Sequence, residues 1–442
     1  MMSPLVAREG DLSEGKATVA GPPGFATYSS VMRTVSVAPT VLLLASVACA
    51  SDAQRTASPT PELVQKPVTR LGLAGRPAIS RSGALIAYVL RDDVGYNLFL
   101  RNPDGTERRL ITAEPGIILR GAAFTPNGHA VDAVRVEADK SASLWRVPTD
   151  GGPARKIVDD VASVPTWSPS GDSMAFIRST GNQLVIADKN GAGARTILTR
   201  AAPDHLLSFA NSARVITPAW SPNGRSVAVL ASSKGVSAII VVDVGMATER
   251  TVLPMKGPNA SGLVWLDSAT LVGAFQSESS SPRQLWKIAV PSGESSRMFE
   301  DADNYDGVSI SAEGTMVSGR STANSSIWVA DADGSSATVL VDGLSEISPA
   351  VGWRSNSVWY GAVGKTAISE GRESPNNRSV AEVDETGTNI IVKAKDGSDQ
   401  KQITHFSDGQ FIGAFQWSPD GTRLALSRWS VSNDVVLIKR ER

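Results

Sequence analysis

Three histidines, His129, His205 and His405, stand far apart in the chain. Imidazole is the side chain best suited to move a proton near neutral pH or to ligate a transition metal. These three share no local context: His129 follows a turn, His405 follows a short strand and His205 lies in an insertion. Serines are abundant, but none is tied by context to a histidine and an acid, and no G-x-S-x-G elbow exposes one as a nucleophile. Short Asp spacings at Asp301-Ala302-Asp303-Asn304-Tyr305-Asp306-Gly307 and Asp331-Ala332-Asp333-Gly334 are like those of calcium loops. Neither continues to the glutamate that closes the twelve-residue ligand pattern, and Asp-Gly is also what a hairpin turn prefers. The residue types therefore predict no catalytic centre, cofactor or metal site. With 43 basic residues against 44 acidic ones, no global field directs the chain to nucleic acid either.

What must be positioned, then, is a binding surface, and the sequence shows a scaffold for one. Ala-Trp-Ser-Pro-Asn-Gly at 219–224 recurs as Thr-Trp-Ser-Pro-Ser-Gly at 166–171, Gln-Trp-Ser-Pro-Asp-Gly at 416–421 and Ala-Phe-Thr-Pro-Asn-Gly at 123–128. Weaker copies are Ala-Ile-Ser-Arg-Ser-Gly at 78–83 and Ser-Ile-Ser-Ala-Glu-Gly at 309–314, and Trp265 and Trp353 keep the aromatic without the glycine. The phase positions Ile79, Phe124, Trp167, Trp220, Trp265, Ile310, Trp353 and Trp417 are spaced 45, 43, 53, 45, 45, 43 and 64 residues apart. A period near 45 with two insertions has the length of one four-stranded propeller blade.

Each copy repeats one local pattern. The aromatic ends a first strand, and Pro-Asx-Gly turns the chain, Pro presetting φ and Gly accepting φ > 0. A second strand follows, such as Met174-Ala175-Phe176-Ile177, then a third, such as Leu285-Trp286-Lys287-Ile288 or Ile327-Trp328-Val329. A short, polar-edged fourth strand closes the unit. The last copy stops after Val435-Val436-Leu437-Ile438, while Pro67-Val68-Thr69-Arg70-Leu71, with fourth-strand character, precedes the first copy. Pairing the two removes exposed sheet edges. The expected fold is all-β: a single propeller of four-stranded antiparallel blades over residues 63–442, with eight blades or, if a degenerate copy is absorbed, seven, closed by the N-terminal strand.

Ahead of that body, Val-Leu-Leu-Leu-Ala-Ser-Val-Ala at 41–48 is too short to span a bilayer. It follows Met32-Arg33 and runs directly into Cys49, the single cysteine, which has no internal disulfide partner. This is the grammar of a secretory signal. Its small-residue end resembles a bacterial lipobox, although Ser46 stands where that motif prefers a large aliphatic residue. The resemblance implies lipidation of Cys49; the alternative is an ordinary signal that leaves a free thiol, and the long lead before Met32 points to translation starting there. Residues 1–49 read as the signal and the polar, Pro-rich 50–62 as a disordered tether.

The W-S-P-D-G turn followed by a short apolar strand resembles the TolB-type propeller repeat, over about residues 63–442. The ending, Phe415 to Gly421 and Ser432 to Ile438, is similar to the propeller attached to some bacterial transmembrane serine/threonine kinases. Propellers of the dipeptidyl peptidase type are similar too. No kinase segment and no nucleophile elbow accompanies the repeats, so neither activity carries over, and the extra α/β domain of TolB has no counterpart before the blades.

The expected function is that of an envelope-exposed, lipid-anchored monomeric scaffold, periplasmic or on the outer-membrane side, that binds a protein or peptide. The repeated tryptophans read as packing between blades. Candidate contacts lie in the insertions, at 199–216 with Asp204, His205 and Phe209 and at 364–386 with Arg372 and Arg378, and in the off-phase Trp359 and Trp429, because long loops on a rigid frame often carry recognition. The alternatives are a propeller hydrolase or metal-dependent lyase, or a carbohydrate-binding module.

Overall fold

The computed structural model describes residues 63–178, 181–212, 214–234, 236–255, 259–278, 281–344, 349–361 and 372–440. The signal, the tether and Cys49 lie outside them. Among the described residues all named elements are strands, and the strand pairs are antiparallel.

The turn that defines the repeat is built in the same way from copy to copy. In Ser-Pro-Asp-Gly at 418–421, the Gly421 N–H donates to the Ser418 carbonyl at 2.9 Å, and the Arg423 N–H donates to Ser418 Oγ at 2.9 Å. Ser221 and Ser80 accept in the same way from Ser226 and Leu85, both at 3.0 Å. The glycine has φ +71° at Gly421 and +75° at Gly224, the left-handed region a side chain disfavours. The conserved geometry is therefore a capped turn that starts the second strand in register.

Five successive sheets follow from this unit: Ala74–Ile111, Ile118–Asp159, Thr166–Thr199, His205–Met255 and Ala260–Arg297. In the fourth, the first strand is split. His205–Leu206 and Ala219–Trp220 both pair with the strand Ser226–Ser233, which absorbs the first insertion into the sheet. A later four-stranded sheet covers Arg372–Gln402, and the seventh copy forms only the hairpin Ala350–Arg354 with Ser357–Gly361.

The sixth and eighth copies depart from the expected blades. Their second and third strands do not fold back as hairpins but run on as two long strands, Met316–Asp331 and Arg423–Arg440. These pair with each other from Met316↔Ile438 to Asp331↔Arg423. Asn304–Ile310 and Leu63–Pro67 flank one end of this ribbon, while Phe411–Trp417 and Ala337–Leu344 flank the other. The copies thus exchange strands: each end of one six-stranded sheet is a four-stranded unit made from both. At these joins Ser321-Thr322-Ala323-Asn324-Ser325 and Ser430-Val431-Ser432-Asn433-Asp434 hold no Gly or Pro, whereas the first and third sheets turn at Gly95 and Gly181; the second sheet turns at 137–141 without either, Lys140 taking φ +69°.

The N-terminal strand pairs with the C-terminal one, Leu63↔Arg440 through Pro67↔Val436. It begins four residues earlier than the expected 67–71. Beyond Pro67, the Val68 N–H donates to Val435 O at 2.8 Å and Thr69 Oγ1 to Asp434 Oδ1 at 2.9 Å.

Innermost strands succeed one another. Ala74–Ile79 packs on Ile118–Phe124 and on Asn304–Ile310, Ala219–Trp220 on Thr166–Trp167 and Ala260–Trp265, and Ala260–Trp265 on Asn304–Ile310. Sheets two and three share a core of Val134, Leu144, Met174 and Phe176. Gly262, at φ +57°, makes one such approach possible: a Cβ there would lie 2.7 Å from the Val308 nitrogen. Two of the phase tryptophans tie one sheet to the next, while Trp220 Nε1 donates to Gly224 O within its own turn. Trp265 Nε1 donates to Ala219 O at 3.0 Å and Trp353 Nε1 to Gln416 O at 3.1 Å. A separate core of Ala381, Ile390, Ile403, Phe415, Trp417 and Leu426 joins the far end of the ribbon to the Arg372–Gln402 sheet.

Candidate binding pocket

Where the inner strands begin, a cavity of about 270 Å³ opens. Its charged lining is Arg76, Arg91, Arg214, Arg283 and Arg320 against the single carboxylate Asp306. Four parts of the fold supply these groups. Arg76 and Arg91 come from neighbouring strands of the first sheet, Arg214 from the segment leading into Ala219–Trp220, Arg283 from the third strand of the fifth sheet, and Asp306 and Arg320 from the ribbon's near end. Ser321 and Asn433, one from each long strand, complete the wall, so the strand exchange itself builds part of the site.

The arginines are held, not merely present. Arg76 donates through Nη1 to the Leu119 carbonyl, and its Cζ lies 4.9 Å from the Tyr96 ring centroid. Arg91 covers the same ring at 5.8 Å. Arg283 is 3% exposed and donates through Nε to Tyr305 O at 2.7 Å. Arg320 Nε is 3.5 Å from Asp303 Oδ2. Asp306 Oδ1 accepts from the Val215 N–H at 3.3 Å. Among the described residues, the Arg214 side chain has no hydrogen-bond or ion-pair partner given by the structure.

Burial shapes the charges. Desolvation holds Arg76 below its ordinary value, opposed by Tyr96 and Asp306 and reinforced by Arg120. Burial pushes Arg283 down to about 10, with Asp306 resisting and Arg214 adding to the shift. Asp303 is pushed up by burial against the pull of Thr322 and Arg320. A guanidinium whose charge is disfavoured by its surroundings gains when an anion arrives. The pocket can therefore hold an oxyanion through planar, forked donors.

The residues singled out from the sequence do not converge on this pocket. His205 begins a two-residue strand and its Nδ1 is 3.2 Å from Pro203 O, while Asp204 Oδ1 accepts from the Lys234 N–H at 3.3 Å. Phe209 packs between two cores, with Arg120 Cζ 6.0 Å from its ring. Trp359 lies across the hairpin from Gly352, where a Cβ would come 2.8 Å from its ring. Trp429 tilts against the exposed Phe411 at 5.7 Å. Arg372 opens a strand and Arg378 is exposed in the turn that follows. Residues 364–371 lie outside the described residues, and 372–383 forms two paired strands, Arg372–Glu373 and Ser379–Val383, joined by a tight turn rather than a long loop.

That last point exposes a repeat missed in the sequence. Glu373-Ser374-Pro375-Asn376-Asn377 is a further copy of the turn: Ser374 Oγ accepts from the Ser379 N–H at 3.0 Å, and Asn377 takes φ +58° in the glycine position. The arginines were missed too. Of these only Arg76 stands at a repeated position, three residues before the phase residue Ile79, as Arg120 and Asp306 stand four before theirs; the other pocket arginines carry no such signal. Among the described residues, no group of three or more His, Cys, Asp or Glu is arranged to hold a metal ion.

No family model matches the chain. Over 105 residues it is 33% identical to the Tol-Pal system protein TolB of Gluconobacter oxydans, a stretch amounting to 22% of this chain and 23% of that protein. The match thus spans less than a quarter of that relative's length. Among solved structures the chain is similar to TolB from Acinetobacter baumannii, at 16% identity over 80% of this chain and 66% of that one, with a TM-score of 0.40. It is similar to a putative TolB from Agrobacterium tumefaciens at 15% identity, over 74% and 94% of the two chains, with a TM-score of 0.39. A likeness to an oligogalacturonate lyase in complex with manganese, at 10% identity over 83% and 99%, has a TM-score of 0.36. None of these assigns a role to a residue of this chain.

Proposed function

We propose that this chain is a TolB-like partner-binding scaffold of the bacterial cell envelope, tethered through a lipid on Cys49, and that six sheets form its closed ring. In this reading the ring runs through the five sheets from Ala74 to Arg297 and ends on the near half of the ribbon, sealed by Leu63–Pro67. The far half, with the hairpin at 350–361 and the Arg372–Gln402 sheet, is an appended unit. The stretch shared with a Tol-Pal system protein supports the envelope setting.

The observation that carries the reading is the arginine-lined pocket, rimmed by the exposed Leu73 and close in sequence to exposed Leu71 and Val94. A stiff frame presenting such a site loses little conformational entropy when a protein segment docks. Asp204, His205, Arg378 and the Trp429–Phe411 pair supply further contacts on the periphery. Enzymatic turnover has no supporting constellation in this pocket. The test is a photoreactive side chain placed at Leu73 or, as control, at the exposed Met246 in intact envelopes. Saturable crosslinking to a defined protein from position 73 but not from 246 is expected. Equal, unsaturable labelling from both sites would remove the assignment.

A further inference from the structure

We propose that the arginine-lined pocket recognises a carboxylate at the free C-terminus of an extended peptide segment. The inference deepens the partner-binding reading and rests on it only for the source of the carboxylate; the anion chemistry stands on the pocket itself.

Three features select this ligand. The first is charge: five guanidinium groups face one carboxylate, Asp306, in a chain whose net charge is −1. Among the described residues, Arg76, Arg91 and Arg283 have no carboxylate at hydrogen-bond distance, and Arg320 has Asp303 at 3.5 Å. Arg120 presses on Arg76 from the second sheet with the same sign. Such a cluster in a partly desolvated cleft is costly unless an anion joins it. The second is size. About 270 Å³ admits one residue's terminal group and short side chain, not a folded domain. The third is the character of the remaining wall. Leu73, Val89 and the Tyr96 ring offer apolar surface beside the guanidinium groups, which fits the alkyl part of a terminal residue. Inorganic phosphate offers no alkyl group to that apolar surface, so a peptide acid gains a contact there that phosphate lacks.

The arginines also have structural work, since Arg76 and Arg283 donate to backbone carbonyls. Arg214 separates the two roles, because its side chain bonds to nothing described. Calorimetric titration of the full chain with N-acetyl-Ala-Ala-Leu as the free acid, as its C-terminal amide, and with inorganic phosphate tests the proposal. Saturable one-to-one binding of the acid is expected, with the amide at least ten-fold weaker and phosphate weaker than the acid. Arg214→Met should lower affinity for the acid at least ten-fold while leaving the melting temperature unchanged. Arg283→Met, if it folds, should also lower affinity for the acid at least ten-fold. Equal affinity for acid and amide, no binding of the acid, tighter binding of phosphate, or an unaffected Arg214→Met variant would each overturn it. The two readings fail separately. If the acid binds but position 73 crosslinks no protein, the pocket stands without a protein partner. If position 73 crosslinks a protein while acid and amide bind alike, the scaffold stands without carboxylate selection.

Discussion

Asp420 accepts hydrogen bonds from the Ser418 hydroxyl, from the Thr422 N–H at 3.0 Å and from the Thr422 hydroxyl at 2.8 Å. These donors, the Ser418 hydroxyl foremost, hold its carboxyl at about 2, below the ordinary 3.8. A carboxylate depressed in the folded state stabilises that state fully above its unfolded value, and the contribution fades as pH falls through the folded one. Asp420→Asn should therefore flatten the dependence of Tm on pH between about 4 and 2 relative to the wild-type chain. Parallel profiles for the two proteins would show that the turn carboxylate is energetically silent. The same geometry explains why Ser-Pro-Asx-Gly was readable from the chain alone: each of its positions answers to a local backbone demand. It also explains the missed copy, in which Glu373 replaces the aromatic and Asn377 replaces the glycine while the Ser374 cap persists.

Between elements, the energetics rest on ties that reach from one sheet to the next. Asp132, fully buried, accepts from Arg146 Nε at 2.7 Å and Nη2 at 3.0 Å across neighbouring strands. Arg146 Nη1 then donates to Lys189 O of the third sheet at 2.7 Å, and its Cζ lies 5.1 Å from the Trp167 ring centroid. Burial pushes Asp132 upward against the pull of Arg146. Removing one partner strands the other's charge, so Asp132→Ala should cost about 3–5 kcal/mol in denaturant unfolding. A loss under about 1 kcal/mol would mean that the tie contributes little. Strand identity and order in the first five sheets were legible at this scale, because alternation and turn residues recur from copy to copy. The joining of second to third strands at 321–325 and 430–434 was not, since the repeat led to a hairpin being expected there and Asn324, Asn433 and Asp434 are compatible with a turn. Nor was the pocket legible, because its arginines come from copies one, four, five and six and meet only in space.

At the scale of the molecule, the two long strands do two things. Their near halves, with Asn304–Ile310 and Leu63–Pro67, complete one four-stranded unit beside the first sheet and furnish Arg320, Ser321 and Asn433 to the pocket. Their far halves carry the appended core of Ala381, Ile390, Phe415 and Trp417. The proposed ring, its closure and its binding site all depend on this exchange. Ala323 and Val431 face each other in the middle of the ribbon, whereas separate hairpins in copies six and eight would set them at two different tips. The decisive measurement is mass spectrometry of the oxidised full chain carrying Ala323→Cys and Val431→Cys with Cys49→Ala. The exchanged topology predicts an intramolecular disulfide joining 323 and 431 in nearly all molecules. Recovery of both cysteines as free thiols in a folded protein would contradict it.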